Sequence, residues 1–152
     1  MKKQILLSRI SIFIMLVGIV VLFSGCIRTP YELYHEDDMI ESIEIIMVEE
    51  CSYISSREVK VTYETLVVIS DKKAFLADFR EISFSLYTWG DPLDYPLISG
   101  FEAILVEYNN GDKEYIQSEQ IVLNKEGMLI TDTRRSSDYE EWKALLDKYL
   151  AE

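Results

Sequence analysis

The chain has 152 residues, 49% of them hydrophobic and 12% aromatic, with 15 Lys and Arg against 27 Asp and Glu for a formal net charge of −12. That length suits one domain, and this much apolar and aromatic content belongs to a packed core rather than a disordered stalk. The acidic balance excludes recognition of DNA, RNA or anionic headgroups by charge, because phosphate binding needs a basic patch; it fits a basic partner, cations at a wall, or plain solubility.

The N-terminus opens with Lys2, Lys3 and Arg9, followed by fourteen residues from Ile10 to Phe23 interrupted only by Ser11 and Gly18, then Ser24, Gly25 and Cys26. A basic start, a short apolar middle and small residues at the end form a secretory signal pattern. The stretch Phe23-Ser24-Gly25-Cys26 resembles the lipobox of bacterial lipoproteins, with Phe23 where leucine is usual. The resemblance covers the signal alone. It implies removal of residues 1–25 and a diacylglycerol thioether on Cys26. Each buried methylene contributes about 0.8 kcal/mol, so two acyl chains hold where one is marginal. An uncleaved transmembrane anchor is the alternative, but a spanning helix needs about 20 apolar residues, and the nineteen from Ile5 to Phe23 contain Arg9. Under either reading the basic end stays in the cytoplasm and the remainder lies on the extracytoplasmic side of the plasma membrane. Without its signal the chain keeps 12 basic and 27 acidic residues, net −15.

Residues 26–38 read as a tether, since Thr29-Pro30 disfavours helix and Glu36-Asp37-Asp38 is a charge run. Residues 39–152 read as a single domain. In Met39–Glu50, Ile43, Ile45 and Met47 alternate with Ser42, Glu44 and Ile46, the period of a strand; Ile40, Ile43 and Met47 also share a helix face, so a helix stays open. Cys51–Arg57, polar and serine-rich, reads as a loop. Glu58–Ile69 is a second strand, with Val59, Val61 and Tyr63 on one face and a continuous Leu66-Val67-Val68-Ile69 run expected to be covered on both sides. Ser70-Asp71 caps a short helix over Lys72–Glu81, with Phe75, Leu76 and Phe79 as its apolar stripe. Ile82–Tyr87 alternates as a third strand.

Thr88–Gly100 holds two of the three prolines and two glycines, a loop by composition. Phe101–Tyr108 and Lys113–Ser118 flank Asn109-Asn110-Gly111-Asp112, a hairpin whose Asn-Gly supplies positive φ angles. Gln120–Leu123 and Met128–Thr131 suggest another hairpin. Ser136-Ser137-Asp138 caps a final helix, with Ser137 and Glu140 at capping-box spacing and Tyr139, Trp142, Leu145, Leu146 and Tyr149 on one face. This order predicts an α+β fold, a small antiparallel sheet with about two helices packed on one face.

Chemistry is sparse. The one histidine, His35, lies in the tether, so Ser–His–Asp and Cys–His mechanisms lack a base within the domain. Zinc lacks imidazole or paired thiolate ligands. If Cys26 is a thioether, Cys51 has no disulfide partner and reads as a small buried hydrophobe. No G-x-x-x-x-G-K-S/T or G-x-G-x-x-G is present, which excludes the common nucleotide fingerprints. No calcium loop occurs, and neither a metal nor a cofactor is expected. Carboxylates are plentiful: Asp91, Asp94, Glu102, Glu107 and Glu114 could in principle supply a glycosidase pair. The feature singled out is aromatic. Tyr87, Trp89 and Tyr95, with Phe101 nearby, either form partner-binding anchors or cap the end of the sheet.

The NNGDKEYI segment after a strand, together with the C-terminal EEWKALLDKYL helix, resembles small uncharacterised lipoprotein domains of Gram-positive bacteria. The resemblance implies location and fold class and carries no site. The expectation is a non-enzymatic module that binds an envelope protein. The alternatives are an inhibitor or immunity-type lipoprotein neutralising a basic enzyme and, further off, a carboxylate-based wall glycosidase.

Overall fold

The computed structural model describes residues 29–55, 58–86, 97–118, 121–125, 128–132, 134–136 and 138–151. The signal segment with Cys26, and the loop carrying Tyr87, Trp89, Asp91, Asp94 and Tyr95, lie outside them. Among the described residues no helix is long and apolar enough to cross a membrane.

The elements run β1 (Thr29–Pro30), a single 3-10 turn (Asp37–Met39), β2 (Ile40–Ser55), β3 (Glu58–Val68), α1 (Lys72–Phe79), β4 (Ser83–Leu86), β5 (Glu102–Tyr108), β6 (Lys113–Ile116), β7 (Ile121–Lys125), β8 (Met128–Asp132), β9 (Arg134–Ser136) and α2 (Tyr139–Leu150). Six strands form an antiparallel sheet in the order β3-β2-β5-β6-β7-β8, and β1-β4-β9 form a smaller one. The α+β class follows from these elements.

Alternation divides the large sheet into two cores. Ile43 and Ile45 on β2, Ile104 and Val106 on β5, and Ile116 on β6 belong to one cluster with Phe75, Leu76 and Phe79 of α1 and Trp142, Leu145, Leu146 and Tyr149 of α2. Their neighbours along the same strands, Ile46, Val48, Ala103, Leu105 and Tyr115, join Cys51, Val59, Leu97 and Val122 in a second cluster. The continuous apolar run Ala103–Val106 is therefore buried on both faces. The sheet also coils. Tyr63 of β3 and Tyr115 of β6 bring their rings to 6.4 Å although two strands separate them in the order, and the Asn124 side-chain amide reaches the Val59 carbonyl at 3.5 Å. The helices meet at Asp78 of α1, which accepts hydrogen bonds from Lys148 and the Tyr149 hydroxyl of α2, both at 2.5 Å.

Several expectations need correcting. The strand reading of Met39–Glu50 holds, but β2 continues through Cys51–Ser55, where a loop was expected. Its ladder partner, Glu58–Val61, supplies hydrogen bonds that composition does not reveal, and three register irregularities absorb the sheet's twist. The run Leu66–Ile69 is not covered on both sides: β3 is an edge strand, leaving Val68 60% and Leu66 39% exposed. The Asn-Gly turn is not the tightest kind, because φ is positive at Gly111 (87°) but at no non-glycine. Instead Gly111 N–H donates to Tyr108 O at 2.8 Å and Tyr108 N–H to Asp112 O at 3.0 Å, which closes a wider hairpin loop. The N-cap of α2 is Asp138, which accepts from Glu140 N–H at 2.9 Å; Ser137 is outside the described residues. The caps of α1 agree with expectation, Asp71 accepting from Ala74 N–H at 2.9 Å.

Part of the stretch read as a tether is folded against these strands. Thr29 and Pro30 pair with Phe84 and Ser83. Tyr31 is buried against Phe84 and Phe79, with ring separations of 5.6 and 6.4 Å. Three aromatic residues within five (Tyr31, Tyr34, His35) give this segment more to bury than a solvated leash needs.

Candidate functional site

The chain re-enters the described structure at Leu97, which is buried in the second core. From there residues 98–101 make a turn held by one side chain. Gln117, 3% exposed, accepts from Ile98 N–H at 2.8 Å and donates to Ile98 O at 2.9 Å and Phe101 O at 3.4 Å. Gly100, with φ of 80°, lets its N–H reach Val48 O at 2.7 Å. A buried amide with three partners fixes where Phe101 emerges.

Beside this turn lies an open cleft of about 310 Å³ between the start of β5, the end of β6 and α2. Trp142 and Leu146, both nearly fully buried, form its floor, while Phe101 and Tyr139 stand at its mouth 50% and 53% exposed. Glu102, Lys143 and Asp147 give it charged walls. Large rings held half out of water beside a fixed turn are the means by which a surface seats an apolar side chain, and charges at the rim set orientation. Tyr139 sits there because α2 begins at the Asp138 cap; Phe101 does because Gln117 pins its carbonyl.

Of the residues singled out from sequence, Cys26, Tyr87, Trp89 and Tyr95 lie outside the described residues. Phe101 is at the cleft mouth. The carboxylates do not converge. Glu102 lines the cleft, while Glu107 pairs with Lys113 and accepts from Ser42 at 3.2 Å. Glu114 sits opposite Val106 on the other face of the sheet from Glu107, about 13 Å along the strands from Glu102 by strand rise. Cys51 is buried, and desolvation pushes its thiol up to about 11, so the neutral form dominates and nucleophilic chemistry is disfavoured. Among the described residues no cluster of three or more His, Cys, Asp or Glu is poised to hold a metal.

A second polar centre escaped sequence reasoning. Glu114, with no exposed surface, accepts hydrogen bonds from the Tyr31 and Tyr108 hydroxyls and from Tyr34 N–H at 3.2 Å. Next to it Asp112, 4% exposed, meets His35 Nε2 at 2.7 Å and Asn110 Nδ2 at 2.9 Å. The His35 ring packs edge-on to Tyr34 and Tyr108, at 4.8 and 4.6 Å. Burial raises the Glu114 carboxyl above its usual range, opposed by the three hydrogen bonds and the proximity of His35. Burial and the Glu114 charge push the Tyr108 hydroxyl far up, so it stays a donor at every physiological pH. The available signal was the spacing of Asp112 and Glu114, two apart on a strand and hence on one face, beside the aromatic density of residues 31–35.

Comparison with known protein families, curated proteins and solved structures finds no match. The functional reading therefore rests on the residues themselves.

Proposed function

We infer that this chain is a lipoprotein held on the extracytoplasmic side of the plasma membrane through acylated Cys26. Its folded part is a non-enzymatic protein-binding module of the cell envelope, both helices covering one face of its sheet. The observation that carries the binding role is the cleft with Phe101 and Tyr139 half-exposed over a Trp142–Leu146 floor. Its ligand is a peptide segment of an envelope protein, apolar where it meets the rings and basic where it faces Glu102 and Asp147. Tyr87, Trp89 and Tyr95, singled out from the sequence as partner-binding anchors, belong to the same reading.

A photocrosslinking residue placed at Tyr139 in the native bacterium should yield a discrete adduct that is absent when the same residue replaces exposed Glu64. Phe101→Ala with Trp89→Ala should weaken that adduct at least tenfold and leave thermal stability within a few degrees. An adduct indifferent to both changes would remove the reading. Acylation is checked separately, by intact mass and lipid labelling beside Cys26→Ser.

The net charge of −15 after signal removal favours a second reading, an inhibitor of a basic surface enzyme. Attraction of that kind is screened within about 10 Å at 0.1 M salt. An affinity that falls steeply with salt supports the inhibitor; one that does not supports apolar docking in the cleft.

A further inference from the structure

We propose that the concave face of the large sheet carries a second binding site, built from Glu44, Tyr63, Glu107, Lys113 and Tyr115, that takes a neutral sugar residue through its hydroxyl groups. It is separate from the Trp142 cleft and needs neither the acyl anchor nor the peptide ligand. Glu102, in the wall of that cleft, projects from the opposite side of β5 to Leu105 and Glu107.

Strand register gathers these residues. Glu107 stands opposite Ser42 and Lys113, Leu105 opposite Glu44 and Tyr115, and Val48 opposite Tyr63. Side chains two apart on a strand share a face, so all five project on the side of the sheet that holds the Ile46, Leu105 and Val122 core. Glu44 and Glu107 are diagonal neighbours, about 7–8 Å apart at Cα. Coiling makes this side concave, since Tyr63 of β3 meets Tyr115 of β6 ring to ring at 6.4 Å. The charged members lie toward the β5–β6 turn, where the Glu107 and Lys113 side chains are partly exposed.

One group there lacks what a buried polar atom needs. Tyr115 is 4% exposed, and among the described residues its hydroxyl has no hydrogen-bond partner. Protein interiors leave few such groups unpaired, and each one is costly. Burial pushes this hydroxyl far up, and Tyr63, Glu107 and Cys51, close enough to act on it electrostatically, push the same way. It therefore stays protonated and lies between the charged end of the face and its apolar floor. Its neighbours are only partly satisfied by one another. Thr65 donates to one oxygen of Glu44 at 2.8 Å, and Ser42 at 3.2 Å and Lys113 both donate to Glu107. The second Glu44 oxygen and the remaining Lys113 N–H groups are left for a ligand.

The pattern of donors and acceptors selects the ligand. Burial works against the Lys113 charge, but the hydrogen bond to Glu107 and the nearby Tyr63, Glu107 and Glu44 outweigh it and hold the amine above its usual range. An anion entering here meets two carboxylates, and a cation meets an ammonium. A carboxylate only accepts, an ammonium only donates, and a phenol does both. The ligand that suits all of them donates and accepts at several adjacent atoms and carries no net charge. Neighbouring hydroxyls on a sugar ring have that property. An apolar floor with a few convergent polar groups, in the hollow of a coiled sheet, is a recurrent setting for small ligands.

The experiment titrates the full-length protein, in a detergent without sugar headgroups, with glucose, galactose, mannose and N-acetylglucosamine, and follows isotope-labelled tyrosine rings by NMR. At least one sugar should shift the Tyr115 and Tyr63 signals saturably and leave that of exposed Tyr53 in place. Tyr115→Phe, which removes a single oxygen, should raise the Kd for that sugar at least tenfold. Because the hydroxyl has no partner in the free protein, the same change should leave thermal stability equal or higher. A fall in stability on Tyr115→Phe would show the hydroxyl bonded within the fold, through a resident water, and overturn the proposal. So would a Tyr115 signal that no sugar moves, or shifts confined to Tyr139 at the cleft mouth. Methylammonium or acetate shifting Tyr115 as strongly as any sugar would overturn the ligand class and the proposal with it.

Discussion

The two ends of β6 solve one problem in two ways. Gln117, at its C-terminal end, buries a neutral amide to pin the turn 98–101 through three hydrogen bonds. Glu114, three residues earlier, buries a carboxylate to pin the segment 31–34, also with three donors. Both hold an irregular segment against the sheet, where a β-ladder cannot. The neutral clamp is indifferent to pH and presents Phe101 at the cleft. The charged clamp is stronger per bond, carries the desolvation cost of an ion, and makes attachment of that segment depend on protonation. The proposed binding surface is thus served by the amide, and the folded segment 31–34 by the carboxylate.

The largest expected effect comes from breaking the charged clamp. Glu114→Leu leaves two buried hydroxyls and a backbone N–H without their acceptor and should cost about 3 kcal/mol in chemical denaturation. A loss below about 1 kcal/mol would mean the segment 31–34 contributes little. Gln117→Leu should cost less, about 2 kcal/mol, since the turn it holds is partly reached by water. It should also weaken partner binding in the cleft, which Glu114→Leu should not.

The smallest effect is the sharpest test of the difference. The folded-state pKa of Glu114 is raised, so the native state holds its proton more tightly than the unfolded chain. Its contribution to stability is fully present below the unfolded value of about 4.3 and is lost as pH rises through the folded value. The stability advantage of the parent chain over Glu114→Gln should therefore shrink from pH 4 upward. For Gln117→Leu the corresponding difference should stay flat over the same range. Parallel profiles for the two variants would erase the distinction between the clamps.

Local features were legible in the sequence. The Asp71 cap and the Phe75–Phe79 stripe specify α1 within a few residues of chain, and the stripe from Trp142 to Tyr149 does the same for α2. The Asn-Gly hairpin was visible because turn chemistry is carried by the turn residues, though its subtype was not: it depends on φ at Asn110, which the tolerant asparagine leaves to the strands. The reach of β2 through Ser55, the exposure of Leu66 and Val68, and the existence of β9 were not legible, because each depends on which strand lies alongside. The aromatic emphasis around residues 87–101 led to the cleft through Phe101, whereas its other wall, Tyr139, comes from a helix more than thirty residues later.

The sequence by itself determined the class of elements, the acidic balance and the absence of common nucleotide motifs, and it carries the lipobox-like stretch Phe23–Cys26 on which the proposed anchor rests, since all of these are written in neighbouring residues or in composition. Only the tertiary structure decided that part of the presumed tether is folded against the sheet, that the lone histidine sits on Asp112, and that Glu114 is an interior group rather than a solvated carboxylate. Tyr31 and Glu114 are 83 residues apart. Their meeting is set by coiling of the sheet and by the cost of leaving either polar group buried alone, and those are properties of the packed molecule.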